Sequence, residues 1–202
     1  MQTDEAFLNS AKKQFLYYKA IGEKAMDQLE PEQLFFAVNG DTNSISVIVN
    51  HLHGNMLSRW TDFLTSDGEK EWRNRDTEFE EQAAALSARG ASFAEEKALL
   101  LQKWQEGWNC LLSALESLKP GQLSETIYIR NEGHSVVEAI NRQLAHYPYH
   151  VGQIVFYAKM LKKDAWTSLS IPKNKSGEYN ADKFSKERSI RHFTDDELNR
   201  LK

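Results

Sequence analysis

The chain has a single cysteine, Cys110, so no intrachain disulfide can form and a reducing compartment fits. Proline is scarce, with four in 202 residues, which leaves room for long uninterrupted helices. No apolar run approaches the roughly 20 residues needed to cross a bilayer. Met1 is followed by charged and polar residues with no apolar h-region, so no secretory signal is expected. Basic residues are not in excess: 25 Lys and Arg stand against 29 Asp and Glu, for a net charge of −4. A nucleic-acid footprint would show a basic stripe. Together these absences predict a soluble cytoplasmic protein, with neither nucleic acid nor membrane as partner. Hydrophobic residues make up 41% of the chain, enough for one domain with a sizeable core.

What is present in quantity is helical periodicity. Phe7, Ala11, Phe15, Tyr18, Ala25 and Leu29 recur every three or four residues until Pro31 ends the segment. Ile45, Ile48, Leu52, Met56, Trp60 and Phe63 do the same, with Asn43 or Ser44 as N-cap. A third segment opens at Ser92 with Glu95 three residues on, and runs through Trp104, Trp108 and Leu115 to Pro120-Gly121. A fourth opens at Ser135 with Glu138, and continues through Ile140, Leu144, Tyr147, Val151, Ile154, Ala158 and Leu161. Thr126–Arg130 is β-branched and short, which predicts an extended piece that Asn131-Glu132-Gly133 turns away. Residues 66–91 form a long charged connection, part of it helical, in which Trp72 and Phe79 should pack back on the protein or on a partner subunit. The expected fold is all-α, a four-helix bundle with long connections. It spans residues 1–169, and a polar tail, 170–202, belongs to the same domain and carries a short helix from Thr194.

Six histidines are the candidates for chemistry. In HYPYH, residues 146–150, His146 and His150 lie one helical turn apart, so both imidazoles share a face. Such a pair can chelate one ion, as in helical H-E-x-x-H sites, but no glutamate follows His146 and a metalloprotease is excluded. The competing reading is two half-buried histidines bonded to carbonyls. Pro148 removes a backbone hydrogen bond from the turn, and a tolerated bend explains it without a functional role. A third ligand must come from another helix, where VNHLHGN offers His51 on the flank of the apolar stripe and His53 nearer its centre. Periodicity alone leaves that choice open. His134 reads as structural or exposed, His192 as solvated, and Cys110 as a small core residue.

Two stretches carry a resemblance: HLHGNMLSRWTDFLTSDGEKEWRNRDTEFE, and EAINRQLAHYPYHVGQIVFYAK. Together they resemble an uncharacterised bacterial subgroup of the DinB/YfiT-like superfamily of metalloenzyme-type proteins, over nearly the whole chain. The resemblance implies a four-helix bundle, often a homodimer, with one divalent metal on three histidines. The matching positions are His51, in H-x-x-G-N, and the pair His146 and His150. Some superfamily members resemble thiol transferases that use low-molecular-weight thiols such as bacillithiol or mycothiol.

Three histidine ligands leave a coordination position open, the pattern of a catalytic rather than a structural site. The ion expected is zinc or nickel, then iron or manganese. Asn55 and Arg59 follow His51 by one and two turns; Arg142 precedes His146 by one turn and Gln153 follows His150 closely. Asn55 and Gln153 are candidates to orient the imidazoles. Arg59 or Arg142 suits a substrate carboxylate, against a salt bridge to the 66–81 connection. Two functions follow: a metal-dependent hydrolase or thiol S-transferase acting on a small electrophile, or a non-catalytic metal-binding or stress-associated protein.

Overall fold

The computed structural model describes residues 2–80, 83–88, 90–119 and 121–201, and 66% of it is helical. Four long helices carry the packing: α1 (Gln2–Asp27), α2 (Ile45–Trp60), α4 (Phe93–Ser117) and α5 (Val136–Lys162). The short α3 (Ala83–Ala88) lies between α2 and α4; α6 (Ser176–Phe184) and α7 (Thr194–Leu201) follow α5. Pro120, expected to stop the third segment, lies outside the described residues.

Three of the long helices start where a serine side chain satisfies an otherwise unpaired backbone N–H. Ser44 accepts from Val47, Ser92 from Glu95 and Ser135 from Glu138. Between Asn43 and Ser44, the structure selects Ser44. α5 continues through Pro148 as one element.

α2 packs mainly on α4, and α1 on α5; α2 also meets α5, and α1 meets α4. An aromatic core binds three of them together. Trp108 of α4 stands 6.3 Å from Phe15 of α1 and 5.8 Å from Tyr147 of α5, centroid to centroid, and Trp104 stands 5.4 Å from Trp108. Close approach there requires a glycine: a Cβ on Gly22 would stand 2.5 Å from the Trp104 ring.

The extended piece is half of a hairpin. β1 (Thr126–Ile129) pairs antiparallel with β2 (Glu132–Ser135), with Thr126 opposite Ser135 and Ile129 opposite Glu132. Arg130 and Asn131 form the two-residue turn with φ of +57° and +62°, the left-handed pair that suits strand twist. β2 ends on Ser135, the cap of α5, so the hairpin aims that helix directly.

The connection after α2 is tied at its start both to α2 and to the hairpin. Ser58 Oγ donates to the Gly68 carbonyl at 2.8 Å, and Gly68 N–H donates to the Tyr128 carbonyl at 2.8 Å. The Asp67 carboxylate accepts from the backbone N–H of Arg130 and Asn131 at 2.8 and 2.9 Å. The tail also folds back: Lys13 of α1 pairs with Asp195 at 2.7 Å. His192 is not solvated as its polar surroundings predict; it is half-buried, 3.0 Å from Ser10 Oγ and 2.8 Å from Thr194 Oγ1. No described helix is long and apolar enough to cross a membrane.

Candidate metal centre

The α2–α5 contact brings three histidines together. His51 sits on α2 and is 5% exposed; His146 and His150, one turn apart on α5, are half-buried. His146 Nε2 lies 3.4 Å from His51 Nε2 and 3.1 Å from His150 Nε2. One ligand nitrogen from each of the three lies within 4.8 Å of the others. His53 is elsewhere: it faces α4 and pairs with Glu106 at 3.2 Å.

Each of the three imidazoles has its other nitrogen held by an oxygen that can only accept. His51 Nδ1 donates to Glu78 Oε2 at 3.0 Å, His146 Nδ1 to Gln143 Oε1 at 3.1 Å and His150 Nδ1 to Gln153 Oε1 at 2.8 Å. This fixes the tautomers, so all three Nε2 atoms present lone pairs to one another with no proton between them. Burial, then the neighbouring His150 and His51, push the His146 pKa down to about 3. His150 is also lowered, by burial and then by His51, against the opposing bond to Gln153.

The donor set fits a metal ion. Two nitrogens on one tetrahedral zinc at about 2.0–2.1 Å lie roughly 3.3–3.4 Å apart, close to the separations found. Acceptors on the far nitrogens are the usual partners of metal-binding imidazoles.

Glu78 is held from the other side by Arg73, whose Nε and Nη2 fork onto its two oxygens at 2.7 and 2.8 Å. Burial alone would raise the Glu78 pKa, but Arg73 and His51 outweigh it and hold the carboxyl below its ordinary value. Gly54 makes this reach possible. A Cβ there would stand 2.8 Å from Glu78 Cδ and overlap its carboxylate. That gives H-x-x-G-N a physical meaning: the histidine is supported by a carboxylate that crosses the helix at the glycine. Asn55, next in the pattern, is buried and accepts from Tyr147 O–H at 3.1 Å, while Trp60 Nε1–H donates to the same hydroxyl at 3.0 Å.

A cavity of about 260 Å³ opens beside His51 and His146, and five arginines line it: Arg59, Arg73, Arg75, Arg130 and Arg142. Arg59 donates to the Gly68 carbonyl and pairs with Glu69 at 3.2 Å, the salt bridge to the connection that competed with a substrate role. Arg142 makes no such bridge among the described residues. Gln153 accepts from His150 Nδ1 at 2.8 Å. Phe79 packs on His51, centroids 4.9 Å apart, whereas Trp72 is 59% exposed. Cys110 is half-buried and desolvation raises its thiol pKa, against a reactive role.

Sequence reasoning missed Glu78, Gln143, Arg73, Arg75 and Arg130. Gln143 was findable, three residues before His146 on the same helix. Glu78 stands 27 residues from His51 inside a mixed-charge run that reads as solvated.

No curated protein and no solved structure matches the chain. A family model does, over residues 2–175, which takes in every residue of the histidine cluster and its cavity and leaves out Met1 and residues 176–202. The chain belongs to DUF1572, a family of proteins of unknown function.

Proposed function

We propose that this protein binds one divalent metal ion on His51, His146 and His150, and works as a metal-dependent enzyme on a small electrophile, as a hydrolase or thiol S-transferase. One observation carries the reading: three buried or half-buried imidazoles aim unprotonated Nε2 atoms at one point, each with its Nδ1 proton already engaged. Lone pairs at 3.1 and 3.4 Å repel one another unless a cation lies between them.

A bound divalent ion supplies Lewis acidity, which lowers the pKa of water or of a thiol toward neutrality. The protein's own groups do the rest. Glu78, Gln143 and Gln153 hold the imidazoles in one tautomer and orientation. The Arg73 fork keeps Glu78 ionised and in place. The adjoining cavity admits a small molecule, which favours catalysis over a purely structural ion.

The packing of α1 on α5 and of α2 on α4 supports a four-helix bundle; its DinB/YfiT type and a cytoplasmic location are part of the same proposal. A homodimer is part of the proposal; Phe156, 72% exposed on α5, is one apolar side chain that a partner would have to account for.

The test is metal content by mass spectrometry on untagged protein, beside His51→Ala, His146→Ala and His150→Ala. About one ion per chain in the parent and little in each variant is the expected result. Unchanged stoichiometry in any of the three, or no uptake after incubation with zinc or nickel, sinks the reading.

A further inference from the structure

We infer that the cavity beside the histidines is an oxyanion subsite, in which Arg75, Arg130 and Arg142 receive a carboxylate or phosphate of the substrate. This rests on the proposed function of the same site and adds the substrate's chemical class.

The charge distribution is the first argument. The chain as a whole is acidic, with a net charge of −4, yet five guanidinium groups converge on this one cavity. Among the described residues only two carboxylates pair with them. Glu69 meets Arg59, Arg73 and Arg130, and Glu78 takes the Arg73 fork. Three positive charges are left over before any metal is counted.

The second argument is which arginines are committed. Arg59 and Arg73 are almost fully covered and bound to the fold through Gly68, Glu69 and Glu78. Arg130 shares Glu69 with both of them and keeps 58% of its side chain exposed. Arg75 lies over the Phe79 ring, 4.8 Å from its centroid, with no carboxylate partner among the described residues. Arg142 lines the cavity and has neither ion pair nor hydrogen bond among them. Cations clustered without counterions repel, and a bound anion relieves that repulsion.

The third argument is position and size. Arg142 is one turn before His146 on α5, so an anion held there lies beside the histidine cluster. About 260 Å³ is just under the roughly 300–1,000 Å³ typical of ligand pockets. It suits a small anion or an anionic head group. Planar guanidinium groups match carboxylate and phosphate geometry bidentately.

Isothermal titration calorimetry with sodium phosphate and with sodium succinate, at low ionic strength, tests this on zinc-loaded and on chelator-stripped full-length chain. The expected result is saturable one-to-one binding of at least one anion, with the preferred one identifying the oxyanion. Arg142→Gln should weaken it about tenfold, and Arg75→Gln with Arg142→Gln about a hundredfold, since each charged hydrogen bond contributes near a decade. Circular dichroism confirms that these exposed substitutions leave the fold intact. Binding of neither anion by the parent, or equal binding by parent and double variant, overturns the subsite. His150→Ala, at the one histidine of the three that does not line the cavity, separates the two readings: it should lose the metal and keep anion affinity in stripped protein within about threefold. A parent that binds zinc while the double variant binds anion normally overturns the subsite alone. A parent without metal whose anion affinity still depends on the arginines overturns the metal reading alone.

Discussion

Glu78 supports His51 from 27 residues away by laying its carboxylate across α2 at Gly54, with 3.0 Å between Oε2 and Nδ1. Gly54→Ala is therefore informative. Helix propensity favours alanine by about 1 kcal/mol, but the new Cβ displaces a carboxylate that a buried Arg73 fork holds. Zinc affinity, measured by chelator competition, should fall about 10- to 100-fold. Glu78→Gln should fall less, because its amide oxygen still accepts from His51. Unchanged affinity in Gly54→Ala means that Glu78 does not tune the site.

The histidines make the metal-free protein acid-sensitive. His146 titrates at about 3 in the fold against 6.5 for an ordinary histidine, so the unfolded chain binds the extra proton between those values. Its contribution is complete above pH 6.5 and is lost as pH falls toward 3. His150 shifts in the same direction. The melting temperature of chelated protein should fall from pH 7 to pH 5, above most carboxylate titration, and His146→Gln should flatten that slope. A parent with no slope in this window contradicts the assignment.

Tyr147→Phe removes one oxygen and strands two buried partners, the Trp60 N–H and the Asn55 Oδ1. Each unsatisfied group costs roughly 1–3 kcal/mol. For a chain of this size that is about 2–4 °C in Tm per kcal/mol, readable by calorimetry. A shift below 1 °C shows that the network is not cooperative.

Ser135→Ala probes the junction of hairpin and helix. Loss of the bond to the Glu138 N–H at 3.1 Å should cost about 1 kcal/mol. Metal stoichiometry should stay the same, because α5 keeps its core face. A lost ion in this variant would mean that the cap sets the position of His146 itself.

Much of this was legible because it is local. Serine caps, three-to-four periodicity and the one-turn spacing of His146 and His150 are decided within a few residues. The rest depends on chain closure. β2, Glu132–Ser135, lacks apolar alternation and exists because it pairs with β1 and feeds a cap. α6 has no buried residue, so no core contact sets it apart from the polar tail around it. Glu78 and Arg130 are charged residues in polar surroundings, indistinguishable by type from solvated neighbours such as Glu80. Their roles come from what the connection is tied to. His192 deceived for the same reason: its partners Ser10 and Thr194 become neighbours only when the tail folds back.

Asp67 touches no histidine. Its carboxylate clasps the turn at Arg130 and Asn131, and backbone bonds to those residues and to Glu69 hold its pKa down despite desolvation. With the Gly68–Tyr128 backbone bond and the Arg130–Glu69 pair, this side chain sets where the hairpin meets the connection, and so the start of the route to Glu78. A change at this clasp would therefore reach the cavity's mouth through Arg130 and Glu69, while the α2 and α5 backbones that carry the imidazoles keep their own packing.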